Sequence, residues 1–154
     1  MLRRNHVGRL AFMNRANVDI EPVHYVATGT WIFVRSADGA KLDAIAHNPY
    51  VAFEVDEVDA MFDWRSVVVR GTIYLMSKDG NPVDREDFAR ALAALRSFLP
   101  ETFTGDDPTP FRQTIYGVHI DRITGRAAES RHRSPGRRPM LPRPARARRR
   151  RDGT

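Results

Sequence analysis

Short segments in which apolar and polar residues alternate constrain the fold of this chain more than any other feature. Between residues 50 and 58, Val51, Phe53 and Val55 fall on one side of the segment and polar residues on the other, as is typical of a half-buried antiparallel strand. Five further segments have strand character, at residues 7–13, 20–26, 31–35, 66–76 and 114–123. Strands dominate and their connections are mostly short, so the pattern predicts a small antiparallel barrel.

Two segments have helical rather than strand periodicity. Residues 40–47 place Leu42 and Ile45 on one face and end before Pro49, which predicts a short crossover helix. Residues 83–99 carry an apolar stripe that includes Leu92 and Leu95, and acidic residues occupy the first turn, which predicts one longer amphipathic helix. The expected fold is therefore mainly β, with six antiparallel strands and two helices.

The positive charge of the chain is concentrated at its C-terminal end. Residues 126–154 contain eleven arginines against two acids, Glu129 and Asp152, so residues 1–125 carry a net charge of −3 although the whole chain carries +6. Dense like charge and few apolar residues predict that residues 126–154 form a disordered tail behind a folded domain of residues 1–125. The tail is expected to make at most weak, nonspecific contacts with polyanions, because no aromatic residues accompany its arginines.

Several kinds of site are not predicted by this sequence. The chain has no cysteine, and its five histidines show no spacing typical of a metal site, so we predict no metal centre. No serine-nucleophile motif and no glycine-rich nucleotide-binding motif occurs. The early apolar run at residues 10–13 is too short for a membrane span. These features favour a soluble, cytoplasmic protein.

The turn after the third predicted strand has the chemistry of a phosphate site. Arg35 and Ser36 end that strand, and Gly39 and Lys41 lie at the start of the short helix. The backbone N–H groups of a helix start, a guanidinium and an ammonium all favour bound phosphate, and glycine lets the backbone approach closely. A polar turn with solvated charges is the alternative that the residues alone leave open.

The order of sequence blocks along residues 5–126 resembles a known family. The blocks are VGRLAF, EPVHYV, WIFVRSADGAKLDAI, NPYVAFEVDEVD, WRSVVVRGTIYLM and HIDRITGR. Together they are similar to the pyridoxamine 5′-phosphate oxidase-like family of split-barrel flavoproteins, and most similar to its small bacterial branch that includes nitroimidazole-resistance proteins. The resemblance implies a six-stranded split β-barrel of the FMN-binding type.

The resemblance also assigns residues to the cofactor. It implies that Arg35, Ser36 and Lys41 bind the FMN phosphate, and that the second strand lies against the flavin ring. The fifth strand of relatives contributes a polar side chain near the ring or phosphate, and Ser66 matches that place. The full implied set of cofactor-binding residues is Val23, His24, Tyr25, Val26, Val34, Arg35, Ser36, Lys41, Trp64, Ser66 and Val67.

The same resemblance implies an assembly and a class of reaction. Members of the family bind the flavin at the interface of a homodimer, and the flavin carries out hydride or electron transfer. We therefore expect a flavin-dependent oxidoreductase that acts on an unidentified small molecule, with no catalytic residue assigned. Oxidation of vitamin B6 is not expected, because no equivalent of the oxidase's C-terminal arginine and histidine motif is present. The alternatives are a deazaflavin- or haem-binding protein on the same fold, or a nonenzymatic protein that binds polyanions through its tail.

Overall fold

The computed structural model describes residues 1–37 and 39–129, which form six strands and two helices. Asp38 and most of the predicted tail, residues 130–154, lie outside the described residues. The elements are, in chain order, β1 (Val7–Asn14), β2 (Asn17–Thr28), β3 (Trp31–Ser36), α1 (Ala40–His47), β4 (Tyr50–Ala60), β5 (Asp63–Met76), α2 (Pro82–Phe98) and β6 (Thr114–Ala128).

The six strands form one closed antiparallel barrel, which confirms the predicted fold. Their order around the barrel is β1, β2, β3, β6, β5 and β4. Pairing between β1 and β4, with Leu10 opposite Phe53, closes the ring. The strands that carry the predicted phosphate and ring residues, β3 and β2, are neighbours, with Tyr25 opposite Val34.

Alternation along the strands fills the barrel with apolar side chains. Leu10, Tyr25, Ile32 and Phe53 are each fully buried in one interior cluster. The rings of Tyr25 and Phe53 meet edge to face with 4.9 Å between centroids, a favoured aromatic arrangement. The interior is therefore a packed core, and any ligand must be held by the barrel's rim or its outer wall.

Helix α1 begins and ends where the sequence predicts. Ala44 and Ile45 pack into the barrel core and so bury one face of this helix. The backbone N–H of Asn48 donates to the Ala44 carbonyl at 3.0 Å and ends the helix just before Pro49, because a residue that precedes proline disfavours the helical conformation. The start of α1 is thereby fixed next to the end of β3.

Helix α2 covers the outer wall of the barrel. Its N-terminus has a capping box, in which the Asn81 side chain accepts from the backbone N–H of Asp84 and the Asp84 side chain accepts from that of Asn81, an arrangement that satisfies otherwise unpaired donors. Ala91 and Leu95 are buried in the second apolar cluster, which also contains residues of β2, β3 and β6. Among the described residues, no helix has the length and hydropathy that a membrane crossing requires.

The last strand extends further than its sequence pattern indicates. β6 was expected to end at residue 123, but it continues to Ala128 through pairs such as Ser66 with Arg126 and Trp64 with Ala128. Side chains on both faces of this extension are exposed, so it lacks the alternation that identifies a strand in sequence. The pairing with β5 supplies the structure instead, and residues 126–128 belong to the barrel.

Candidate functional site

A cavity of about 580 Å³ opens between β2, the end of β3 and the start of α1. This volume falls within the range of roughly 300–1,000 Å³ that is usual for small-molecule sites. The lining residues come from four places in the chain besides the start of β1. They are Val7, Glu21, Pro22, Val23, His24, Arg35, Ser36, Ala37, Gly39, Lys41, Phe111 and Arg112.

The start of α1 lies at this cavity. Gly39 is the N-cap residue, and no described side chain caps the helix. The Gly39 carbonyl already accepts from the backbone N–H of Leu42 at 2.9 Å, so the helical hydrogen bonds begin at once. The earlier N–H groups of a helix have no partner within the helix, and they attract anions.

Lys41 lies on the cavity wall and is paired with a carboxylate. Its Nζ is 2.9 Å from Glu21 Oε2, and the Lys41 side chain is 15% exposed whereas that of Glu21 is 44% exposed. Glu21 itself lines the cavity. A ligand phosphate that reached Lys41 would therefore compete with a half-exposed carboxylate for the ammonium group.

Arg35 is held far more firmly, because its guanidinium is buried and bonded on several sides. It forms an ion pair of 2.8 Å with Asp107, and the two side chains are only 7% and 2% exposed. It also donates to the backbone carbonyls of Thr109 at 3.0 Å and Arg112 at 2.8 Å. These contacts tie β3 to the loop before β6, so Arg35 lines the cavity while most of its donors point into the protein.

Asp107 organises that loop as well as pairing with Arg35. Its carboxylate accepts from the backbone N–H groups of Phe103 at 2.8 Å and Thr109 at 2.9 Å. The hydrogen bond from Arg35, and then those backbone donors, hold the pKa of Asp107 well below its usual value although burial opposes the shift. The carboxylate is thus kept charged, and the loop that carries Phe111 and Arg112 is fixed against the cavity.

Sequence reasoning missed Glu21, Asp107, Phe111 and Arg112. Asp107 had a local signal, since an aspartate that accepts from the backbone two residues later is a common turn feature. Its pairing with Arg35, 72 residues away, left no local trace. Arg112 stands next to Phe111, and its guanidinium lies 5.8 Å from the centroid of that ring.

The four predicted ring-contacting residues of β2 divide between the two faces of the strand. Val23 and Tyr25 point into the interior core, whereas Val26 belongs to the cluster under α2 and His24 is exposed. Val23 and His24 line the main cavity, and His24, Tyr25 and Val26 line a smaller one of about 230 Å³ beside the C-terminal end of α2. Because strand side chains alternate, the four cannot all contact one face of a ring through their side chains.

Val34 and Ser36 on β3 are placed differently from each other. The Val34 side chain is fully buried in the interior core and lines neither cavity. Ser36 is only 6% exposed and lies on the wall of the main cavity. Its hydroxyl donates to the Ala37 carbonyl at 3.0 Å, so its oxygen can still accept a further hydrogen bond.

The three predicted residues of β5 lie away from this cavity. Among the described residues, none of the lining positions comes from β5. Trp64, Ser66 and Val67 instead pair with the far end of β4 and with the extension of β6. Within a single chain, the predicted phosphate-binding residues therefore lie together with some of the residues predicted to contact the flavin ring. The predicted residues of β5 lie apart from both.

Tyr116 lies in the interior core of the barrel, close enough to two cavity residues to feel their charge. Its hydroxyl is buried with no hydrogen-bond partner among the described residues. Burial raises the pKa of Tyr116, the charge of Glu21 raises it further, and the charge of Arg112 lowers it. The phenol is thus within electrostatic reach of two residues that line the cavity. In the part of the chain that the structure describes, no group of three or more side chains is arranged to hold a metal ion.

A closed six-stranded antiparallel barrel with a short crossover helix between β3 and β4 places this protein in the split-barrel class. The chain belongs to the pyridoxamine 5′-phosphate oxidase family, whose model matches residues 1–127. The family prediction is therefore confirmed. No protein with a curated description matches the sequence.

Solved structures share the fold of this chain. An FAD-binding protein from Mycobacterium smegmatis is 25% identical with a TM-score of 0.60, over 83% of this chain and 90% of that one. An FAD-binding protein from Mesorhizobium loti is 23% identical with a TM-score of 0.64, over the same shares, 83% and 90%. A haem-binding protein from M. smegmatis is 17% identical with a TM-score of 0.63, over 82% of this chain and 51% of that one. The last two likenesses show the fold alone.

Proposed function

We propose that this protein binds FMN in the cavity beside α1 and uses it as a flavin-dependent oxidoreductase on a small molecule. One observation carries the proposal, namely that the uncapped start of α1, Ser36 and Lys41 meet on one cavity wall. Helix N–H groups, a hydroxyl and an ammonium are the groups that a phosphate ester requires. Membership of the family supports a flavin as the group that carries the phosphate.

The residues present fit such a cofactor at both of its ends. Val23, His24 and Pro22 supply a partly apolar wall next to the phosphate-binding wall, which suits a flat ring attached to a charged group. The flavin would supply the hydride or electron transfer, and the protein's part is to bind, orient and shield it. Lys41 and the start of α1 would hold the phosphate, while His24, exposed at the cavity, can donate or accept a hydrogen bond at the ring.

The proposal includes a homodimer with the flavin at its interface. Trp64, Ser66 and Val67 are implied cofactor contacts, yet they lie away from the cavity of their own chain. Nearby, Val58 at the end of β4 is 66% exposed, and Met61 and Phe62 in the β4–β5 turn are 81% and 67% exposed. Exposed apolar side chains that cluster in this way are typical of an interaction surface, and a second copy that covered them would bring β5 residues to the cofactor.

Assembly can be tested by light scattering after size-exclusion chromatography. The wild-type chain is expected to elute with twice the monomer mass, and Phe62→Asp to shift toward the monomer and to lose flavin affinity as well. Val83→Asp is the matched control, since Val83 is similarly exposed at 65% but stands at the start of α2. A monomeric wild-type protein that binds flavin would contradict the dimer without contradicting the cofactor.

The cofactor itself can be tested by the visible spectrum of the purified protein and by mass spectrometry of what is released on denaturation. FMN is the expected ligand, and FAD, deazaflavin and haem each give a distinct spectrum or mass. A colourless protein that also fails to take up added FMN would overturn the proposal. The predicted cytoplasmic location and the polyanion-binding tail rest on the sequence alone and stay predictions.

A further inference from the structure

Arg112 is a basic residue of the cavity that is not paired with any carboxylate of the described residues. Among the described residues it has no ion-pair partner, whereas the other basic residues on the same wall, Arg35 and Lys41, are paired with Asp107 and Glu21. The contact described for its guanidinium is the one with the Phe111 ring, and the residue is half-buried. Among the described residues of the cavity, Arg112 is therefore the basic side chain whose charge is not compensated by an ion pair.

The position of Arg112 is fixed by buried contacts. Arg35 Nε donates to the Arg112 carbonyl at 2.8 Å, and Arg35 Nη2 donates to the Thr109 carbonyl at 3.0 Å. Asp107 holds Arg35 from the other side at 2.8 Å. Because both members of this ion pair are almost fully buried, the backbone at Arg112 is held in place rather than free to move away from the cavity.

The charge of Arg112 also acts on Tyr116, a residue of the interior core. Burial is the main cause that raises the pKa of the Tyr116 phenol, and Arg112 opposes this shift while Glu21 adds to it. Glu21 and Arg112 are thus within electrostatic reach of one phenol, and Lys41 is paired with Glu21. A doubly charged phosphate in the cavity would meet Lys41 already shared with Glu21, and it would draw its remaining compensation from Arg112.

The structure assigns to Arg112 the role of a further phosphate-binding residue of this cavity, with Arg35 and Asp107 as positioning residues that hold it there. This inference rests on the proposed function, since the phosphate is that of a bound flavin nucleotide. It replaces Arg35 as the guanidinium that contacts the ligand. A guanidinium can bind phosphate through two parallel N–H donors, which an ammonium cannot do.

The test compares flavins that carry phosphate, FMN and FAD, with riboflavin, which carries none. Dissociation constants for FMN, FAD and riboflavin are measured by quenching of flavin fluorescence with the wild-type protein, Arg112→Ala and Arg112→Lys. For Arg112→Ala we expect binding of FMN and FAD to weaken by roughly 10-fold to 100-fold, the size of a charge-assisted hydrogen bond, with riboflavin changed by less than about twofold. The FMN and FAD affinities of Arg112→Lys should fall between those of the wild-type protein and Arg112→Ala, because lysine keeps the charge and loses the paired donors.

Arg85→Ala is the matched control, since it removes an exposed arginine from α2 and should change none of the three constants. Circular dichroism and the thermal midpoint verify that Arg112→Ala is folded, and the Arg112 carbonyl that binds Arg35 remains in this variant. Unchanged FMN affinity, or an equal loss for riboflavin, would overturn the inference while flavin binding itself stands. Failure of the wild-type protein to bind any of the three flavins would overturn the proposed function and this inference together.

Discussion

Two basic residues line the same cavity wall, and they are held in different ways. The guanidinium of Arg35 is paired with a carboxylate that is 2% exposed, and the ammonium of Lys41 with one that is 44% exposed. A buried pair is costly to break because the remaining charge is left without solvent, whereas a solvated partner can be exchanged at little cost. The main role of Arg35 is therefore structural, whereas Lys41 is available to a ligand.

Replacing Arg35 should have the largest effect on stability. Arg35→Met would leave the Asp107 charge buried without its partner, and we expect the free energy of unfolding to fall by about 3 to 5 kcal/mol. Urea denaturation measures this change. Arg90→Met is the control, because it breaks a more exposed ion pair, in which the Arg90 and Asp87 side chains are 50% and 32% exposed. This substitution should lower the free energy of unfolding by less than about 1 kcal/mol.

A double-mutant cycle sharpens the same test. Arg35→Met combined with Asp107→Asn should destabilise the protein by clearly less than the sum of the two single changes, because residues in one ion pair are coupled. Additive losses would contradict the assignment of Arg35 to a coupled buried pair, and they would restore it as a candidate phosphate ligand.

Replacing Lys41 should change ligand binding and leave the fold intact. We expect Lys41→Met to weaken FMN binding by roughly 10-fold to 100-fold, with little change for riboflavin, because a charge-assisted contact to phosphate is lost. Fluorescence titration and a urea denaturation curve measure the two properties separately. The only other lysine, Lys78, provides the matched control, and equal effects of Lys78→Met and Lys41→Met on FMN affinity would contradict the prediction.

Acid should weaken the fold through the carboxylates that basic residues hold charged. Hydrogen bonds from Arg35 to Asp107, and from Arg4 and Asn5 to Glu57, lower the pKa of both acids, that of Glu57 from 4.5 to about 2. A carboxylate with a lowered pKa in the folded state stabilises the protein fully above its unfolded pKa, and this stabilisation is lost as the pH falls through the folded value. The loss is therefore expected below about pH 4.5, toward pH 2.

Thermal midpoints recorded over that acid range measure the loss. Asp107→Asn and Glu57→Gln should each start from a lower midpoint at neutral pH and then show a flatter decline with acid, since the group that takes up the proton is gone. If the thermal midpoint of Asp107→Asn declines with acid as steeply as that of the wild-type protein, the charge of Asp107 does not contribute to stability. The contrast between the buried Arg35–Asp107 pair and the more exposed Lys41–Glu21 pair then fails.

The sequence predicts those parts of the structure whose pattern lies within a short stretch of the chain. Alternation in β4 and the apolar faces of α1 and α2 placed these elements within a few residues, because each pattern reports which side chains are buried. The end of β6 extends beyond the predicted one because residues after 123 are mostly exposed on both faces and owe their structure to pairing with β5. A strand supported only by its neighbour has no periodic signal of its own.

The candidate site shows the same limit. Lys41, Ser36 and Arg35 were singled out together because residues close together in the chain create a helix start beside a strand end, and because the family resemblance assigns them to phosphate. The structure also pairs Arg35 with Asp107, which lies in a loop 72 residues further on. Arg112 reaches the cavity through that same loop, so neither the pairing of Arg35 nor the placement of Arg112 could be obtained without the folded chain.

The smallest expected effect concerns the partner of Lys41. Glu21→Gln removes a negative charge from the cavity and frees the ammonium group, so we expect FMN to bind about two- to fivefold more tightly, with a stability change below about 1 kcal/mol, the usual range for a solvated pair. Riboflavin should bind as it does to the wild-type protein, because it carries no phosphate to gain from the released charge. Combining Glu21→Gln with Lys41→Met should abolish the gain, since the freed ammonium is then absent. If the double variant still binds FMN more tightly than Lys41→Met alone, Glu21 acts by repelling the phosphate directly. In that case the ion pair with Glu21 does not limit the contact between Lys41 and the phosphate.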